Sequence, residues 1–185
     1  PNRPIVVDSR DPTFLDCETD FEKDYVREQQ EVYPDACEAV DAKVPELLVN
    51  KLAIMVFVHL DHGHDKITRR SVTGMMISVG RTPLFFFCKR QGAVKTSMYG
   101  AECCVFRHAA EETILIRYML RCMGVKVEHA LYLLGDNLGV IQNVTIKDGL
   151  LKKKHVVISY HKTREATAAG ITHPVKILGT RKYVD

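Results

Sequence analysis

Ser97-Met98-Tyr99-Gly100-Ala101-Glu102 opens a long helical pattern that closes at Gly124, and Ala130–Leu134 then makes a short apolar run ending in Gly135-Asp136-Asn137. This unit decides the fold. Met98, Ala101, Val105, Ala109, Ile116, Met119 and Met123 recur at helical spacing. The apolar run after it has strand length. Glu102 falls in the first turns of the helix and Asp136 at the tip of the strand. Ligands of open α/β sheets gather at the carboxyl ends of strands. A helix start beside a strand end can bring two carboxylates together around a metal ion, as phosphodiester cleavage with two metals requires. Each residue also has a plain structural reading. A Glu in a first turn favours the helix dipole, and Asp-Asn caps a following helix.

Working outward, Leu52–Leu60 reads as an apolar strand, Asp61–Asp65 as a polar turn, and Thr73–Val79 as a second strand. Gly80–Pro83 is a hairpin turn before a third strand, Leu84–Cys88. A short helix is expected near Asn137–Val144, a longer one over Lys152–Ala169, and a last strand over Ile171–Leu178. The order β-β-β-α-β-α-α-β implies a mixed sheet flanked by helices.

The first fifty residues differ in kind. Pro4, Pro12, Pro34 and Pro45 interrupt them, with one short helix expected over Phe21–Val32 behind Asp20. Residues 1–49 hold 13 Asp/Glu and 5 Lys/Arg, and residues 50–185 hold 10 and 21. An acidic connector or docking arm, residues 1–50, therefore precedes a basic domain, residues 51–185. A basic domain suits a polyanion. Arg69, Arg70, Lys89, Arg90, Lys95, Lys152, Lys153 and Lys154 are the candidate phosphate contacts, with ordinary solvated surface as the alternative for each. No apolar run reaches the roughly 18 residues of a membrane span. The chain begins Pro-Asn-Arg-Pro, without Met or signal peptide, and is expected to be a fragment, a processed product or the ordered part of something longer. Six cysteines without a C-x-x-C pair point to an intracellular, reducing compartment. Cys88, Cys103, Cys104 and Cys122 fall in apolar patterns and are expected to pack as small hydrophobes.

These motifs together resemble a known family. The run Asp65-Lys66-Ile67-Thr68-Arg69-Arg70-Ser71-Val72-Thr73-Gly74, then Lys89-Arg90-Gln91, Ser97–Glu102, Gly135-Asp136-Asn137, Lys153-Lys154-His155 and Tyr160–Glu165 stand in the order of the ribonuclease H domain of copia-type retrotransposon polyproteins. The chain resembles a degenerate copy of it from about Val56 onward. The resemblance implies an α/β fold, a ribonuclease H-like mixed five-stranded sheet with helices on both faces. It implies hydrolysis of RNA in an RNA–DNA hybrid, with acidic residues holding two Mg²⁺ ions. Glu102 and Asp136 match the family's helix Glu and strand-end Asp, and both are candidate metal ligands. Asp185 falls where its last Asp lies, though the helix that normally carries that Asp is absent. The family's Asp-x-Asp in the first strand reads His59 and Asp61 here. Imidazole suits Zn²⁺ or Mn²⁺ better than Mg²⁺. Asp61, two residues on and on the same face of a strand, is the one replacement at hand. Two functions follow: a catalytically impaired nucleic-acid-binding or structural module within a ribonucleoprotein assembly, with no cofactor, or an active ribonuclease H using Mg²⁺ or Mn²⁺. The expected partners are an RNA–DNA hybrid or structured RNA, and protein subunits met through residues 1–50. A zinc site at His59, Asp61, His62 and His64 finds no distant trio of His or Cys to complete it.

Overall fold

Ile54–Asp61 carries apolar residues on both of its alternating faces, as a strand covered on two sides must. The structure, a computed structural model, describes residues 6–7, 20–40, 42–43, 54–79, 82–125, 127, 129–147 and 156–177. Numbered along the chain, the strands are β1 (Val6–Val7), β2 (Ile54–Asp61), β3 (Val72–Val79), β4 (Thr82–Arg90), β5 (Leu131–Gly135) and β6 (Thr172–Ile177). The helices are α1 (Asp20–Val32), α2 (Met98–Cys122), α3 (Leu138–Thr145) and α4 (Val157–Ala168). β2 pairs antiparallel with β3, and β3 with β4, with a bulge at Ile77/Ser78. On its other side β2 pairs parallel with β5, and β5 with β6. This is the expected mixed five-stranded sheet. β1 adds a sixth strand, Val6 against Lys176 and Val7 against Ile177. Two residues of backbone pairing are too short to show a period, so nothing in the sequence pattern marks them.

Alternation along β2 builds two cores. Ile54, Val56 and Val58 pack with Cys103, Val105, Phe106, Ala109 and Ala110 of α2, Val140 and Ile141 of α3, and Ala166 of α4. Each fully buried aliphatic side chain there contributes roughly 1.5–3 kcal/mol. Met55 and Phe57 turn the other way, toward Met76, Leu134, Val175 and Ile177. None of the described helices contributes to that second cluster, where helices on both faces were expected. The core-forming helices α2, α3 and α4 all supply the first.

α2 begins where Ser97 caps it, the hydroxyl accepting from the Gly100 amide at 3.2 Å. It is followed by Gly124 at φ 75°, a conformation that Gly adopts without strain. The expected stripe holds only in part. Ala101, Val105 and Ala109 are buried, but Met98, Met119 and Met123 are exposed. The buried face also takes in Phe106, Ala110, Thr113, Arg117 and Leu120, so it is not the methionine stripe. Cys103 and Cys104 are buried as expected, whereas Cys88 and Cys122 are exposed. Cys88 lies on an edge strand and Cys122 in the last turn of α2.

A segment of the acidic first fifty is bolted to α2, α3 and α4. The buried Gln29 donates its Nε2 to the Thr145 carbonyl at 2.6 Å, and Tyr33 Oη meets His161 Nδ1 at 2.6 Å. The Arg164 guanidinium stacks over Tyr33 and Tyr160 and donates to the carbonyls of Asn143, Ile146 and Lys147. Glu31 pairs with Lys147, and Glu38 with both Arg117 and Arg121.

Candidate functional site at the carboxyl rim of the sheet

The pairing pattern decides what shares an end of the sheet. Asp61 stands opposite Val72, and Val72 opposite Arg90. β5 runs parallel to β2, so Gly135 and Asp136 emerge at the same end. The loop after Arg90 leads directly into α2, whose first turn also lies there. His59, Asp61, Glu102 and Asp136 therefore border one rim, with Arg69, Arg70, Lys89, Arg90 and Lys95 beside them.

Within that rim the faces differ. Alternation along β2 puts His59 on the side of Met55 and Phe57, while Asp136 lies just past the end of β5. Glu102, nearly buried, comes from α2 on the opposite face. Gln91 fixes that approach. Its Nε2 donates to Thr73 Oγ1 and to the Ala101 carbonyl, both at 3.1 Å, and Thr73 is the strand partner of Leu60. The buried amide thus ties the first turn of α2 to the start of β3, beside the end of β2, a role its place in Lys-Arg-Gln does not reveal. Gly135 is needed for close approach. A Cβ there would lie 2.5 Å from Phe106 Cζ and 3.4 Å from Val58 Cγ2. Asn137 then caps α3, accepting from Gly139 and Val140.

Among the described residues, no three His, Cys, Asp or Glu side chains are grouped to hold a metal ion. Asp61 Oδ2 is engaged by His64 Nδ1 at 2.5 Å, within the turn. An imidazole at position 59 and an Asp61 joined to His64 do not fit a pair of Mg²⁺ ions, which take oxygen ligands in strict geometry. No catalytic step through a metal is derived for this arrangement.

Of the candidate phosphate contacts, Arg69 and Lys89 are exposed, and Arg70 and Lys95 are half-buried. Arg90 pairs with Asp65 at 2.7 Å. Lys152, Lys153, Lys154 and Asp185 lie outside the described residues. Asp65 organises the β2–β3 loop. It accepts from the Ile67 and Thr68 amides and the Thr68 hydroxyl, and its own carbonyl takes the amide of Arg69, which sits at φ 56°. The Thr68 hydroxyl, followed by the two amides and Arg90, holds the Asp65 carboxyl below its usual range. Asp65→Ala should speed amide hydrogen exchange at Ile67 and Thr68 and lower the melting temperature. A carboxyl with a lowered pKa stabilises above its unfolded pKa and loses that effect as pH falls. The gap from wild type should therefore close in acid, and a gap independent of pH would contradict this role.

The central β2, its antiparallel and parallel neighbours and the helical cover make this an α/β domain built on a mixed sheet. No family model matches the chain. A similar solved structure is ribonuclease H1 from the halophilic archaeon Halobacterium salinarum NRC-1, at 11% identity and a TM-score of 0.47, covering 70% of this chain and 84% of that one. Among the described residues no helix is long and apolar enough to cross a membrane.

Proposed function

We propose that the chain is a degenerate ribonuclease H-like domain of copia-type retrotransposon descent. It binds an RNA–DNA hybrid or structured RNA as a module of a larger ribonucleoprotein assembly, and its cleavage activity is crippled. The observation that carries this reading is His59. On β2, at the rim where β5 also ends, it places an imidazole where the family pattern has a carboxylate ligand for the two metals. Neutral, it offers one lone pair and no charge; protonated, it repels both ions. Arg69, Arg70, Lys89 and Lys95 beside it are suited to phosphate contacts, which give affinity without sequence readout. An intracellular, reducing setting and protein neighbours met through residues 1–50 belong to the same proposal.

The second reading, an active enzyme using Mg²⁺ or Mn²⁺, is favoured by the retention of Glu102 and Asp136 and by Asp61 one pleat beyond His59. One assay separates the two. The full chain, His59→Asp, and His59→Asp with Glu102→Gln are incubated with a hybrid in Mg²⁺. No cleavage is expected from the wild type, some from the single variant and none from the double. Robust wild-type cleavage abolished by Glu102→Gln would overturn the impaired reading. Hybrid binding by the wild type should weaken steeply with salt. Arg69→Glu with Lys89→Glu should reduce the slope of log affinity against log salt by about 2.

A further inference from the structure

β4 is the outer strand of the sheet, with β3 on one side and no described strand on the other. An unpaired edge is a template for another chain, and proteins guard it with charge, proline and bulges. In β4 these guards stand only at the ends. Pro83 and the bulge lie near its start, and Lys89 and Arg90 close it. Between them Leu84-Phe85-Phe86-Phe87-Cys88 is an uninterrupted apolar run. Leu84 is 55% exposed, Phe85 38% and Phe86 68%, and Cys88 is exposed too. Phe87 alone of these packs against the main core. A strand exposed on both faces overhangs the helical cover, and apolar surface so placed marks an interaction site.

We propose that this edge is a homodimer interface, in which β4 of two copies pairs antiparallel to make one continuous sheet. A second copy is the fitting occupant because the strand is complementary to itself. With Phe86 on the two-fold axis, Phe85 of one copy faces Phe87 of the other, Leu84 faces Cys88, Lys89 faces Pro83 and Arg90 faces Thr82. No like charges oppose one another. Registers shifted toward the end of the strand carry Lys89 and Arg90 into the apolar run. Such an isologous pairing closes on itself. Among the described residues the opposite edge of the sheet is β1, two residues long. The interface is independent of whether the rim cleaves nucleic acid.

The test is sedimentation velocity of the full chain over a range of concentrations. The wild type should pass from monomer to dimer as concentration rises. Phe86→Lys should remain monomeric, with a melting temperature equal to that of the wild type at concentrations where the wild type is itself monomeric, since that side chain contributes little to the core. In a Cys88→Ser background, Phe86→Cys should form an oxidised dimer whose disulfide maps position 86 to position 86. A wild type monomeric at every concentration, or Phe86→Lys still dimeric, overturns the proposal. So does a monomeric wild type whose hybrid binding is lost in Phe86→Lys, which would give the strand to nucleic acid.

Discussion

Glu38→Ala should destabilise the full chain by about 3 kcal/mol in urea unfolding, the range for removing one partner of a nearly buried ion pair. The Arg117 side chain is 3% exposed and that of Arg121 15%. Glu38 Oε1 lies 2.6 Å from Arg117 Nε and also contacts Arg121. The two guanidiniums have backbone carbonyls as further acceptors, His129 for Arg117 and Val127 for Arg121. Carbonyls accept hydrogen bonds but bring no countercharge. Without the carboxylate, two like charges one helical turn apart remain out of water. Glu38→Ala combined with Arg117→Met should recover part of the loss, because the stranded charge goes with the residue that carried it. Glu31→Ala is the contrast. Its pair with Lys147 is exposed on both sides, and such pairs change stability little. If Glu38→Ala proved as mild as Glu31→Ala, the segment around it would be a loose arm.

The same segment shows where sequence reading ends. Thirteen acidic residues before position 50 are legible as charge. That Glu38 neutralises a buried arginine 79 residues away is not, since Arg117 occupies a helical position open to any solvated cation. Several elements from Ile54 onward were readable because they carry a pattern and a stop. β2 is apolar on both alternations, Ser97 and Gly124 bracket α2, and Asn137 starts α3. Helix faces were less legible. Met98, Met119 and Met123 obey the 3.6-residue period yet are exposed, because a period marks a candidate face without saying what packs on it. At the rim, strand ends alone bring His59, Asp61 and Asp136 to one border. The Asp61–His64 contact and the Gln91 tie depend on side-chain directions that spacing does not carry.

Acid should loosen the sheet through His173. This residue of β6 is 4% exposed, with its ring edge-on to Tyr132 at 5.7 Å. Burial draws its pKa down from 6.5 to about 4. The unfolded chain takes up the proton near 6.5, whereas the folded one resists until about 4. Within that window the unfolded state holds more protons, so stability rises with pH there. The contribution is complete above the unfolded value, is lost as pH falls through the window, and totals roughly 3 kcal/mol. His108, also lowered by burial, acts in the same direction but is half-exposed and lies beside Glu111, so its share is smaller. Unfolding free energies at pH 7, 6, 5 and 4.5 should thus fall steeply for the wild type. His173→Gln should start lower at pH 7, having lost native packing, and then fall much less. Parallel profiles for the two proteins would remove His173 as the cause. β6 neighbours β5, whose Gly135 leads into Asp136, so charging this histidine would weaken the strand pair that carries one side of the rim.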